Sequence, residues 1–129
     1  MSVSRTTGVF FGTSETVGVT IANGATQTGS EQDMFGNNTS EGWIFVYLYY
    51  TGAGTTGTLD VSLFYGRTTG NEAEDQSPLI ASITPANSSQ KILLGQFPAS
   101  RFMIGQVKNN GTCGNVTNVT LGYELYQES

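Results

Sequence analysis

The sequence predicts an all-β chain, an antiparallel β-sandwich or jelly roll of about seven to eight strands. Three observations point there. Residues Trp43 to Tyr50 form an unbroken run of aromatic and β-branched or aliphatic side chains, residue types that pack well on a pleated surface. Two other segments alternate with the period of a strand. In Thr58 to Tyr65, Leu59, Val61, Leu63 and Tyr65 share one face against Asp60 and Ser62; in Asn115 to Gln127, Val119, Leu121, Tyr123 and Leu125 share one face against Thr120 and Glu124. Finally, no stretch of useful length repeats at the helical period, and turn signals recur about every 8 to 12 residues.

Residues 1–15 read as an N-terminal arm ahead of one domain spanning 16–129. The arm is rich in small residues and carries an apolar knot, Val9-Phe10-Phe11, closed by Gly12, which needs an anchor. Thr16 to Ala22 alternates as a short strand. Asn23 to Glu41 is a polar loop interrupted by Met34-Phe35, long enough to be either a functional loop or a crossover. The run Trp43 to Tyr50 is apolar on both parities, so both of its faces need cover. A glycine-rich turn, Thr51 to Gly57, leads into Thr58 to Tyr65, and the two strands are expected to pair as a hairpin. After a polar loop, Gly66 to Pro78, come a strand at Leu79 to Thr84, a turn at Pro85-Ala86-Asn87 and a short strand at Lys91 to Leu94. The last unit joins Arg101–Lys108 to Asn115–Gln127 through an Asn- and Gly-rich turn, which supplies the positive φ angles of a second hairpin.

The 129 residues suit a single core. Only 12% are charged, so polarity rests on Thr, Ser, Asn and Gly. The net charge of −5 argues against nucleic acid, since Arg5, Arg67, Lys91, Arg101 and Lys108 are too few and too scattered to track phosphates. No run approaches the roughly 20 apolar residues of a membrane span, and Met1 to Arg5 lacks the apolar core of a signal peptide, so cytoplasmic synthesis is expected. The six Asn-x-Ser/Thr sequons therefore carry no weight as glycosylation sites. One cysteine, Cys113, excludes an internal disulfide; it is either a plain loop residue or a link to a second copy.

Chemistry is sparse. The absence of histidine removes the commonest general base and the Ser-His and Cys-His nucleophile systems. Nothing in the sequence brings two carboxylates together, so no enzyme is expected. The densest acidic cluster holds Glu72, Glu74 and Asp75, either a Ca²⁺ site or a solvated loop without the spacing of an EF-hand; no other cofactor is expected. Tyr47, Tyr49, Tyr50, Tyr65, Tyr123 and Tyr126 suit core, subunit interface or a sugar-stacking platform.

Two pieces carry a resemblance. Gly57-Thr58-Leu59-Asp60-Val61-Ser62-Leu63 and Arg101-Phe102-Met103-Ile104-Gly105-Gln106-Val107-Lys108-Asn109-Asn110-Gly111, leading to Asn118-Val119-Thr120-Leu121, resemble a pattern of small β-sandwich virion proteins of tailed bacteriophages. About half the chain is covered. Galactose-binding-like jelly rolls share the strand grammar, and Gly105 departs from the pattern, where a larger or charged residue is usual. The resemblance implies a capsid decoration (cement) protein on the outer surface of the virion, made in the host cytoplasm, bound to the major capsid protein or another virion protein and assembled as a homotrimer. Val9, Phe10, Phe11, Met34 and Phe35 are the expected interface anchors, with Tyr50 from the doubly apolar strand. The alternatives are a carbohydrate-binding, lectin-like module and a phage tail or fibre component.

Overall fold

The computed structural model describes residues 3–13, 17–35, 42–52, 54–66, 79–111 and 114–128. Among them are ten strands: β1 (Val3–Phe11), β2 (Val19–Ile21), β3 (Thr26–Thr28), β4 (Gln32–Asp33), β5 (Gly42–Thr51), β6 (Thr58–Gly66), β7 (Leu79–Ile83), β8 (Ser89–Pro98), β9 (Phe102–Asn110) and β10 (Val116–Glu128). The first sheet runs β1-β10-β5-β8, with β2 also on β10; the second runs β3-β9-β6-β7, with β4 also on β9. All the pairings are antiparallel. This is a β-sandwich, as the alternation predicted.

Between the sheets lies one apolar core. Strand β5 sends Ile44, Val46, Leu48 and Tyr50 inward and β6 sends Leu59, Val61 and Leu63, while Met103 and Val107 come from β9 and Val119, Leu121 and Leu125 from β10. Burying each such side chain stabilises the fold by about 1.5–3 kcal/mol. Two polar residues are enclosed as well, Asn109 and Thr120. Asn109 is fully buried and its Nδ2 donates to the carbonyls of Ile21 (2.9 Å) and Gly114 (3.0 Å), tying β9 to the first sheet.

The connectivity corrects both expected hairpins. Strands β5 and β6 lie in different sheets, and so do β9 and β10. The chain therefore passes from one layer to the other between β5 and β6 and between β9 and β10 instead of folding back within one. Sheets pack about 10 Å apart, a gap that five or six residues span easily and a two-residue hairpin turn does not. Connections of this length serve a hairpin or an inter-sheet arch, so turn chemistry alone does not decide the topology.

The described part of the expected arm, residues 3–13, is built into the sandwich. Val3–Phe11 is an edge strand of the first sheet, in register with β10 from Val3 opposite Glu128 to Phe11 opposite Leu121. Its side chains from Val3 to Thr7 are exposed, as an edge strand allows, which is why no apolar alternation marks it. A β-bulge between Val9 and Phe11 turns Phe10 and Phe11 both inward. The long Asn23–Glu41 segment is, over its described part, the crossover: it carries the chain from β2 to short strands β3 and β4 on the other sheet and buries Met34 and Phe35.

Gly105 acquires a reason in this packing. A Cβ placed there lies 2.6 Å from Leu121 Cδ2 and 2.7 Å from the Phe10 ring, so the ring of Phe10 occupies the space that a side chain at 105 needs. Overpacking of this kind costs about 1–3 kcal/mol. Gly105→Ala is therefore expected to lower stability by that amount in chemical denaturation. Combined with Phe10→Ala its additional cost is expected to shrink, a coupling that a double-mutant cycle reads directly.

Candidate functional site

The two outer faces differ in chemistry. On the second sheet, Asp60 accepts hydrogen bonds from Ser82 Oγ (2.7 Å) and Asn110 Nδ2 (3.1 Å), and Lys108 stands opposite it on β9. Those partners, the Ser82 bond first, hold the Asp60 carboxyl below its ordinary value. Around Asp60 this face is a solvated polar lattice, and Phe64 pairs with Ile104 further along it. The first sheet instead presents the outward residues of β5, Trp43, Phe45, Tyr47 and Tyr49, none of them fully buried, beside Glu124 and Tyr126 from β10.

These side chains are ordered against one another. Trp43 stacks on Tyr126 with centroids 5.8 Å apart and planes 7° from parallel, and Phe45 meets the same ring edge-on at 5.4 Å. The Tyr126 hydroxyl donates to Glu124 Oε2 at 3.0 Å. Further along the strand, the Lys91 ammonium from β8 lies 5.6 Å from the Tyr47 centroid and 5.4 Å from that of Tyr49. Ring quadrupoles attract such a cation, so both rings are held on their β8 side.

On their β10 side the surface dips into a trough of about 450 Å³. Tyr47 and Tyr49 stand along one side, Thr7 and Val9 of β1 along the other, Gly122 lies between, and Glu124, Thr13, Thr120, Gly8 and Tyr123 complete the lining. Thr120 is fixed there by donating to Val17 O at 3.2 Å. Gly122 sits mid-strand, between Val9 on one neighbour and Tyr47 on the other. Its backbone is not in the positive-φ region, and a Cβ added to it comes no nearer than 3.5 Å to Gly8 O, 3.8 Å to Tyr49 Cε2 and 3.9 Å to Val9 Cγ1. Neither conformation nor crowding requires glycine here, although glycine inside a strand costs about 0.5–1 kcal/mol relative to alanine. What it preserves is the open trough.

No protein-family model and no curated protein matches the chain. Solved structures similar to it include a protein of the disulfide-linked pili of Bacillus endospore appendages, 13% identical, matched over 99% of this chain and 90% of that one with a TM-score of 0.44. Another is FlhE, 14% identical over 98% of this chain and 94% of that one, with a TM-score of 0.40. The likeness extends no further than a β-rich fold.

The residues singled out from sequence are placed as follows. Phe10, Phe11, Met34, Phe35 and Tyr50 all belong to the chain's own core, between 2% and 8% exposed, and Tyr50 Oη also accepts the Ala86 N–H at 2.9 Å. This corrects their reading as anchors for a neighbour, because a side chain already buried at home has no apolar surface left to offer. Val9 alone reaches the outer face, on the trough. Glu72, Glu74, Asp75 and Cys113 lie outside the described residues. Sequence reasoning passed over Trp43, Phe45, Glu124 and Gly122 as site residues. The signals were there: the second apolar parity of β5, and an isolated glycine within an alternating strand, which marks a bulge or a close approach.

Loss of water contact raises the Tyr47 phenol above its ordinary value of 10.0, and the Glu124 carboxylate raises it further, whereas Lys91 pulls it down. Glu124→Gln is accordingly expected to bring the Tyr47 ionisation to lower pH and Lys91→Met to send it higher, in an alkaline titration of the ring carbons by NMR.

Proposed function

We propose that the chain is a non-catalytic structural subunit of a virus particle, a capsid decoration protein that docks on a neighbouring virion protein through the outer face of its first sheet. The observation that supports this reading is the preorganised cluster of Trp43, Phe45 and Tyr126 at the start of β5. Trp, Tyr and Phe are the residue types enriched in the buried centres of protein interfaces, and rings already locked together lose little freedom on docking. The phage-protein resemblance of the β6 and β9–β10 segments gives the partner its class. The docking residues differ from those expected from sequence, since the earlier candidates fill the core. Deleting residues 1–15 is for the same reason no clean test: it removes an edge strand of the sandwich.

The expected results are that mass spectrometry of purified particles finds the chain, and that light scattering of the isolated protein gives a trimer. In co-sedimentation with particles, Trp43→Ser and Phe45→Ser are each expected to weaken binding by about 2–4 kcal/mol, roughly 30- to 700-fold. Particles that lack the chain, or variants that sediment like the wild type, overturn the reading. Imaging of decorated particles distinguishes the shell from the tail.

A further inference from the structure

We infer that the trough over Gly122 is a saccharide site, taking a neutral pyranose residue stacked on Tyr47 and Tyr49 and hydrogen-bonded to Glu124 and the surrounding threonines. The site lies along the strand from the Trp43 cluster and stands independently of the docking role. Four features carry it.

The first is Gly122 itself. A side chain there meets only ordinary contact distances, yet the position is empty, and a glycine unexplained by fold marks a place kept clear for something else. The second is the pairing of lining types. Tyrosine rings offer flat apolar walls to the C–H face of a sugar, while Thr7, Thr13 and Glu124 offer hydrogen-bonding groups to its hydroxyls. Tyr126 occupies one acceptor position of Glu124, and a carboxylate has about four.

The third is charge. A cationic ligand, the other occupant that tyrosines and a carboxylate suit, meets the Lys91 ammonium already within 5.6 Å of both ring centroids. An acidic sugar meets Glu124 and a chain of net charge −5. Neutral saccharides remain. The fourth is size: about 450 Å³ falls within the roughly 300–1,000 Å³ of small-molecule clefts. Among the described residues Glu124 is the one carboxylate in the lining, whereas glycoside hydrolysis by the usual routes uses two flanking the scissile bond, so the inference is of binding alone.

The test is an NMR titration of the whole chain with the methyl glycosides of glucose, galactose, mannose and N-acetylglucosamine. Sialic acid, glucuronic acid and tetramethylammonium serve as charged counterparts, and chelator is present throughout. Saturable shifts at Gly122, Tyr47 and Tyr49 are expected with at least one neutral glycoside and with none of the charged probes. Gly122→Val is expected to fill the trough and weaken binding at least about tenfold, while its melting temperature holds or rises, because valine is favoured in strands. Should valine lower the melting temperature, Gly122→Ala carries the comparison. Its particle co-sedimentation is expected to match the wild type, which separates this site from the docking cluster. No shift with any neutral glycoside, binding of an acidic or ammonium probe instead, or unaltered affinity in a folded Gly122 variant overturns the inference.

Discussion

Strand β5 carries large apolar side chains on both faces, and a two-layer sandwich has only one interior. That mismatch organises the molecule. The parity of Ile44, Val46, Leu48 and Tyr50 wins the interior because it meets Leu59, Val61, Leu63, Met103 and Val107 across the layers, each less than a tenth exposed. The opposite parity is left to the first sheet's outer surface. There the chain satisfies it with its own means: Tyr126 covers Trp43 and Phe45, and Lys91 covers Tyr47 and Tyr49. The cover is partial, and partial cover of ordered aromatic rings is what a binding surface requires, since fully hidden rings bind nothing and wholly loose ones lose entropy on binding.

Strand β10 makes this arrangement possible. Over its length it pairs with β5 along one edge and with β2 and then β1 along the other. A break in register around Asn118, which adopts a positive φ of 52°, interrupts the pairing with both β2 and β5, and the change of partner from β2 to β1 follows after Val119. Asparagine tolerates that region better than most residues. Beyond the break, β10 lays Gly122 and Glu124 between β5, with its tyrosines, and the edge strand β1. The same strand thus completes the core with Leu121 and Leu125 and shapes the outer surface.

Much of this was legible in the sequence, and the limits have physical causes. Faces were legible because alternation is local: Leu59, Val61 and Leu63 all point inward and Asp60 outward, as their spacing required. Partners were not, because strand pairing depends on how far a connection reaches, and Thr51–Gly57 supports a hairpin and an inter-sheet arch equally well in residue chemistry. Strand β1 was illegible because an edge strand with one exposed flank need not alternate. Phe10 and Phe11 showed that something had to be covered without showing what covered them; the bulge that turns both inward is a feature of pairing, with no signature in the two residues.

Gly105 and Gly122 show how the site separates from the scaffold. Both glycines interrupt alternating strands, Gly105 on the parity of Met103 and Val107 and Gly122 on that of Thr120 and Glu124. In the fold, Gly105 faces inward against Phe10 and Leu121, so the bulge that brings Phe10 into the core and the missing side chain on β9 are two halves of one packing solution. Gly122 faces outward onto space that a side chain can occupy. A fold under selection for stability alone gains from filling that space, since a β-branched residue there both stiffens the strand and covers Tyr49 and Val9. The first glycine is explained by what touches it. The second has no such explanation in the fold, and on that difference rests the proposal that the trough takes a ligand while the rest of the aromatic face docks.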